Sequence, residues 1–111
     1  MADLKAKPFY LNDEDIKWVN DTLAAMSDDE KLAQLFCLIA YSSEEEALKN
    51  LATNVKPGGL MLRPMPAEEG RSVVEVLQKN SKIPMLLAAN LERGGNGVMQ
   101  EGTSLGSPLA A

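Results

Sequence analysis

Apolar positions along this chain fall into two patterns, and the patterns alternate. Ile16, Val19, Leu23 and Met26 recur at the spacing of one helical face. Ahead of them, Asn12 can cap a helix whose first turn, Asp13, Glu14 and Asp15, suits the positive end of a helix dipole. Trp18 lies off that stripe and is expected to pack against another element. Ser27 and Glu30 have the spacing of a reciprocal capping box, so a short helix is expected over 28–34. Residues 35–41, Leu-Phe-Cys-Leu-Ile-Ala-Tyr, are then apolar without alternation. So short and continuous a run predicts a strand buried on both faces.

The same sequence of signals comes twice more. Ser43 and Glu46 offer a second capping box, and Ala47, Leu48, Leu51, Ala52 and Val55 a helical stripe, which Pro57-Gly58-Gly59 ends. Leu60, Met61 and Leu62 read as a second strand. Pro66 suits a helix start, with Val73, Val76, Leu77 and Asn80 on the inner face. Ser81-Lys82 then connects to a third apolar strand over 83–89. Strands alternating with helices predict an α/β fold: a parallel three-stranded sheet, in the order first-second-third, with flanking helices and right-handed crossovers. From Asn90 onward Gly, Ser, Asn and Pro dominate, and residues 90–111 are expected to be irregular, with a helix start at the very end.

Composition narrows the function. A chain of 111 residues holds one domain at most, here an arm over 1–11 and a domain over 12–111. Hydrophobic content of 45% argues against disorder. A net charge of −5, with the 11 Lys and Arg scattered, argues against nucleic acid as a main partner. No run approaches the roughly 18 apolar residues of a membrane span, and the polar N-terminus lacks the apolar stretch of a signal peptide. No membrane association and a cytoplasmic location are therefore expected. Cys37 is the single cysteine and sits in an apolar run, which suits a buried, inert thiol. The chain has no His, which removes His-based nucleophilic triads and most zinc sites. No metal and no cofactor are expected.

Candidate chemistry gathers where the third strand ends, in Asn90-Leu91-Glu92-Arg93-Gly94-Gly95-Asn96-Gly97. In α/β proteins ligands bind at the carboxyl ends of parallel strands. The glycines permit positive φ or close backbone approach; a phosphate cradle is the weaker reading, because no Gly-Lys-Ser/Thr follows.

Four segments carry a resemblance. Met26 to Phe36 holds Glu30, Lys31, Gln34, Leu35 and Phe36 in register with a Met-Ser/Thr-x-x-Glu-Lys-x-x-Gln-Leu-Phe pattern. Pro57-Gly58-Gly59-Leu60 follows on the second strand. Ile83 to Gly94 matches Ile-Pro-Leu-aliphatic-aliphatic-Ala-x-Asp-x-Glu-x-Gly, with Asn90 in place of the Asp, and Gly102 to Pro108 supplies a Gly-Thr-Ser…Ser-Pro segment. In this order, the segments resemble the opening of the catalytic domain of glycoside hydrolase family 3.

The resemblance implies the first three βα units of a (β/α)8 barrel that removes β-linked sugars from the non-reducing end with retention, as a β-N-acetylglucosaminidase or β-glucosidase. It implies a carbohydrate substrate. The family's Asp nucleophile comes from a late strand, and its acid/base from a His-Asp pair in a mid-barrel loop or a Glu in another domain. None falls within residues 1–111, so no catalytic residue is assigned. A barrel of this kind needs about 250 residues, and retaining glycosidases need two carboxyl groups about 5 to 5.5 Å apart. Glu92 and Glu101 are the acids near the strand end, and nothing in the sequence places them face to face.

Substrate binding is assigned to Asn90, Glu92 and Arg63. Asn90 stands where the family has a sugar-gripping Asp; it keeps a donor and an acceptor but loses the charge-assisted bond, and a strand-closing turn residue is the competing reading. Glu92 matches the family's Glu, with a loop-holding role as the alternative. Arg63, at the end of the second strand, faces either the site or solvent. Arg93 falls where the family often has Gly, and the Arg that usually follows this loop is missing. The chain therefore reads as part of a β-glycosidase, inactive by itself. The alternative is a non-catalytic carbohydrate-binding or self-associating module on the same partial fold. If the chain is complete at 111 residues, its open sheet edges predict a homo-oligomer or a domain swap. A third reading is an unrelated small α/β binding domain.

Overall fold

The computed structural model describes residues 2–107; the tail and the Pro108 that closes the last motif lie outside them. The chain divides into two compact units, Met1–Lys31 and Leu32–Ala111.

In the first unit the arm is a series of turns. Phe9 and Tyr10 donate backbone hydrogen bonds to the Ala6 carbonyl, and Leu11 donates to that of Leu4. Helix α1, Asp13–Ala25, begins as expected: the Asp15 amide donates to Asn12 Oδ1 at 2.8 Å, and three acids fill the first turn. Its stripe is only partly covered. Ile16 and Val19 are half-buried and Met26 is buried, but Leu23 is exposed. Trp18 is also more than half exposed, contrary to its expected packing role. The capping box forms in full: the Ser27 amide donates to Glu30 Oε2 at 2.9 Å and the Glu30 amide to Ser27 Oγ at 3.1 Å. It opens helix α2, Asp28–Ala33.

The second unit holds the sheet. Strands β1 (Cys37–Ile39), β2 (Gly59–Met61) and β3 (Leu86–Ala88) are all parallel in the order β1-β2-β3. Leu38, Leu60 and Leu87 form one row across the sheet. This row points to the core, where Leu60, 0% exposed, joins Leu48, Ala52, Val73 and Leu77. Those partners come from two segments. One is helix α3 (Glu45–Asn50) with the π-helical turn Leu51–Val55 that continues it; the other is helix α4 (Ala67–Asn80).

Burial on both faces does not hold within this unit. The row Cys37, Gly59, Leu86 faces the other way. There Cys37 is exposed, correcting the expectation of a buried thiol, and Leu86 is 79% exposed. The helices α3 and α4 form a layer on one face alone, so alternate residues of each outer strand lose their cover. The strands are also shorter than the apolar runs that predict them, because a parallel ladder extends only as far as its neighbour pairs.

The Ser43–Glu46 capping box is absent. Helix α3 starts at Glu45 with Glu44 as its cap residue and no side-chain cap bond; the Ser42 hydroxyl instead accepts from the Glu44 amide. Ser43 thus falls before the cap, where its hydroxyl cannot reach the first-turn amides. At the other end the Lys56 amide donates to the Leu51 carbonyl at 2.8 Å, and Lys56 turns left-handed at φ 54° into Pro57. Gln34 Nε2 holds that turn by donating to the Lys56 carbonyl. Helix α4 has Pro66 as its cap residue and buries Gly70, Val73 and Leu77. Gln78 then fixes the entry to β3: its Nε2 donates to the Met85 carbonyl at 2.9 Å and its Oε1 accepts from the Met85 amide at 3.0 Å.

Candidate functional site: a cavity at the strand ends

The site is built where β2 and β3 run out. Met61 pairs with Ala88, and the Leu62 amide carries the ladder one residue on by donating to the Ala88 carbonyl at 2.8 Å. Arg63 and Asn90 each lie two residues beyond the last pair, Met61 and Ala88. Two residues assigned from different segments thus leave the ends of adjacent strands.

Beyond Asn90 the chain folds back on itself. The Gly94 amide donates to the Leu91 carbonyl, closing a turn over Glu92 and Arg93, and Gly94 adopts φ 110°. Gly97, in the 3₁₀ turn Gly95–Gly97, lies against the strand end so closely that a Cβ there would sit 1.6 Å from the Asn90 carbonyl oxygen. These two glycines therefore have backbone reasons of the kind expected: a left-handed turn and a contact no side chain permits.

Further hydrogen bonds tie the loop to the scaffold. The Leu105 amide donates to the Arg93 carbonyl at 2.6 Å, alongside the Gly94–Ser104 bridge. The Met65 amide donates to the Val98 carbonyl, and Gln100 returns a bond to the Met65 carbonyl. Glu101 Oε2 accepts from the Ala67 amide at 3.0 Å, neutralising the first turn of α4. Residues 90–107 are thus irregular but heavily pinned.

The result is a cavity of about 530 Å³ lined by Met61, Leu62, Arg63, Pro64, Asn90, Glu92, Arg93, Asn96 and Gly97. Such a volume lies within the range of small-molecule sites. The structure brings Arg63, Asn90 and Glu92 together on its wall. Arg63, Asn90, Glu92 and Arg93 are all exposed. The two acids near the strand end are divided: Glu92 lines the cavity and Glu101 caps α4.

Sequence reasoning missed Arg93 and Asn96 as lining residues. Arg93 adjoins Glu92 in the loop, and that adjacency was the available signal. Asn96 gave none, because its place depends on how the glycines fold the loop back. Its Oδ1 is buried and has no hydrogen-bond partner among the described residues. Chemically the arrangement can bind: it offers two amides, one carboxylate and two guanidinium groups beside the apolar Met61, Leu62 and Pro64. A single carboxylate cannot supply the pair that retaining glycoside cleavage requires.

No protein-family model matches the chain. A curated relative, described as a beta-N-acetylglucosaminidase/beta-glucosidase of Cellulomonas fimi, is 48% identical over 110 residues, which is 99% of this chain and 20% of the relative. Among solved structures, a beta-glucoside phosphorylase BglX bound to 2FGlc superposes with a TM-score of 0.79 at 46% identity, covering 96% of this chain and 20% of that one. A second BglX structure gives 0.77 at the same identity, covering 18% of that chain. The chain therefore spans about one fifth of the length of the relatives it matches. By sequence and by backbone, the chain is similar to a segment of these β-glucoside-acting proteins, in keeping with its resemblance to the opening of glycoside hydrolase family 3.

Proposed function

We propose that this chain supplies one wall of the sugar pocket of a β-glycoside-cleaving enzyme of the β-N-acetylglucosaminidase or β-glucosidase kind, acting from the non-reducing end with retention. Asn90 hydrogen-bonds sugar hydroxyls, Glu92 accepts from a further hydroxyl or holds the loop, and Arg63 closes the side formed by β2. The nucleophile and the acid/base come from outside residues 1–111. The sheet forms the opening strands of a (β/α)8 barrel, and the substrate is a carbohydrate. The observation that carries this reading is the shared cavity: residues assigned from two separate strand ends line one space. It lies at the carboxyl ends of parallel strands, where α/β folds bind ligands.

The activities for which the relatives are named favour a second reading for the last step. One is named for glycosidase activity, and two structures are named as phosphorylases. In both reactions the bond from the anomeric carbon to the leaving oxygen breaks and the leaving alcohol takes a proton. In hydrolysis a water oxygen then bonds to the anomeric carbon and releases a proton; in phosphorolysis a phosphate oxygen bonds there instead, giving a glycosyl phosphate. Incubating the full-length protein carrying this chain with an aryl β-glucoside or an aryl N-acetyl-β-glucosaminide, with and without phosphate, tests both. Free sugar or glycosyl phosphate among the products supports glycoside cleavage and tells the two acceptors apart. Failure to bind or turn over either glycoside overturns the reading.

A further inference from the structure

Helix α4 has no side-chain cap of its own: Pro66 stands at the cap position and makes no side-chain bond to the first turn. The cap comes from 34 residues away, where Glu101 Oε2 accepts from the Ala67 amide at 3.0 Å. Backbone bonds beside it join the same two segments. The Met65 amide donates to the Val98 carbonyl at 3.2 Å, and the Gln100 amide donates to the Met65 carbonyl at 2.9 Å. Met99, between them, bridges to Met65 and packs its side chain over Gly70, where an added Cβ would lie 3.3 Å from the thioether sulfur. Residues 65–67 follow Arg63 and Pro64, which line the cavity from the β2 side. Residues 98–101 follow Asn96 and Gly97, which line it from the loop. The two walls of the cavity are therefore fastened to each other at the point where each leaves it. None of residues 90–107 is buried, so hydrogen bonds more than apolar burial set where the loop stands. Helix α4 is held differently, through the buried Val73 and Leu77. Loss of one cap bond therefore leaves α4 in place and loosens the loop.

We infer that Glu101 is a positioning residue for the substrate: by clasping the start of α4 it holds the Asn90–Gly97 wall in place against Arg63 and Pro64. The inference rests on the reading of this cavity as a sugar pocket. Glu101 is not itself part of the cavity lining and acts through Asn90 and its neighbours. A side chain that only places binding groups favours substrate and transition state alike, so its loss raises KM and leaves kcat unchanged.

Steady-state kinetics of the full-length protein carrying this chain test this, with an aryl β-glucoside or an aryl N-acetyl-β-glucosaminide and with phosphate present. Glu101→Ala is expected to raise KM by about two- to tenfold, the strength of one hydrogen bond, with kcat close to that of the parent. Glu101→Gln keeps an acceptor oxygen and should return KM most of the way. Pro66→Ser gives α4 a cap side chain of its own. Added to Glu101→Ala, it should recover melting temperature while KM stays raised, and it keeps the test open should Glu101→Ala alone fold poorly. A parental KM in Glu101→Ala, a fall in kcat with KM unchanged, or a KM restored by Pro66→Ser along with the melting temperature overturns the inference. Each of these leaves Glu101 without a positioning role and the sugar pocket standing. A full-length protein that neither binds nor turns over either glycoside removes both.

Discussion

Asn90 and Gly97 act as a pair at the level of single residues. The Asn90 side chain borders the cavity while its carbonyl meets the backbone at Gly97. A methyl group at 97 must displace one or the other. Gly97→Ala is therefore expected to destabilise the protein by about 1–3 kcal/mol, as overpacking does, and to weaken sugar binding through the shifted Asn90. Thermal melts and sugar titration of the same variant check both parts. Asn90→Ala removes hydrogen bonds without moving backbone. It is expected to cost about 0.5–1.5 kcal/mol of sugar affinity per lost bond to an uncharged ligand, with little change in melting temperature. A variant that unfolds, while its folded fraction binds sugar normally, would identify Asn90 as a strand-closing turn residue. Short-range signals of this kind were readable: Asn12, Ser27 and Glu30 cap as their spacing implies, since a cap involves only neighbours three residues apart. Gln78 was not, because its two bonds reach a strand entry that only the folded chain brings near.

Among elements, the three strands carry different loads. β2 is paired on both sides, and Leu60 at its centre is fully buried against α3 and α4. Leu60→Ala is expected to cost about 2–5 kcal/mol, the range for a truncated core leucine, measurable by denaturant unfolding. The outer strands each leave an edge unpaired and a face bare, with Leu86 and Cys37 exposed. Here the sequence misled: a continuous apolar run records that a strand can be covered on both faces, not that a cover is present in the same unit. Expressed alone, residues 1–111 are expected to self-associate through these edges; a stable 12.0 kDa monomer in sedimentation would contradict this. On α3, the Lys49 ammonium hydrogen-bonds Glu45 at 2.7 Å and holds its carboxyl below the ordinary 4.5. A lowered value means stability present above that ordinary value and lost as pH falls through the lowered one. Glu45→Gln should thus be slightly less stable than the parent above that range, and equal to it below. Melting curves on either side of 4.5 check the sign.

For the molecule as a whole, helix and strand order and parallel pairing followed from the hydrophobic pattern, and Arg63, Asn90 and Glu92, assigned separately, border one cavity. Topology explains why: parallel strands in consecutive order deliver their carboxyl ends to the same side, whatever the loop details. The loop itself was less legible, since its path depends on glycine contacts across residues 90–105. Residues 1–111 alone are expected to show no glycosidase turnover, because they offer the cavity one carboxylate and retention requires two. Turnover of an aryl β-glucoside by the pure chain would overturn that division of labour. The central claim is that the cavity at the ends of β2 and β3 holds the sugar. A crystal structure of the full-length protein with bound glucose tests it most directly. The account predicts a sugar hydroxyl within hydrogen-bond distance of the Asn90 amide, with Arg63 and Glu92 bordering the ring; glucose bound elsewhere, leaving these three residues in solvent, would contradict it.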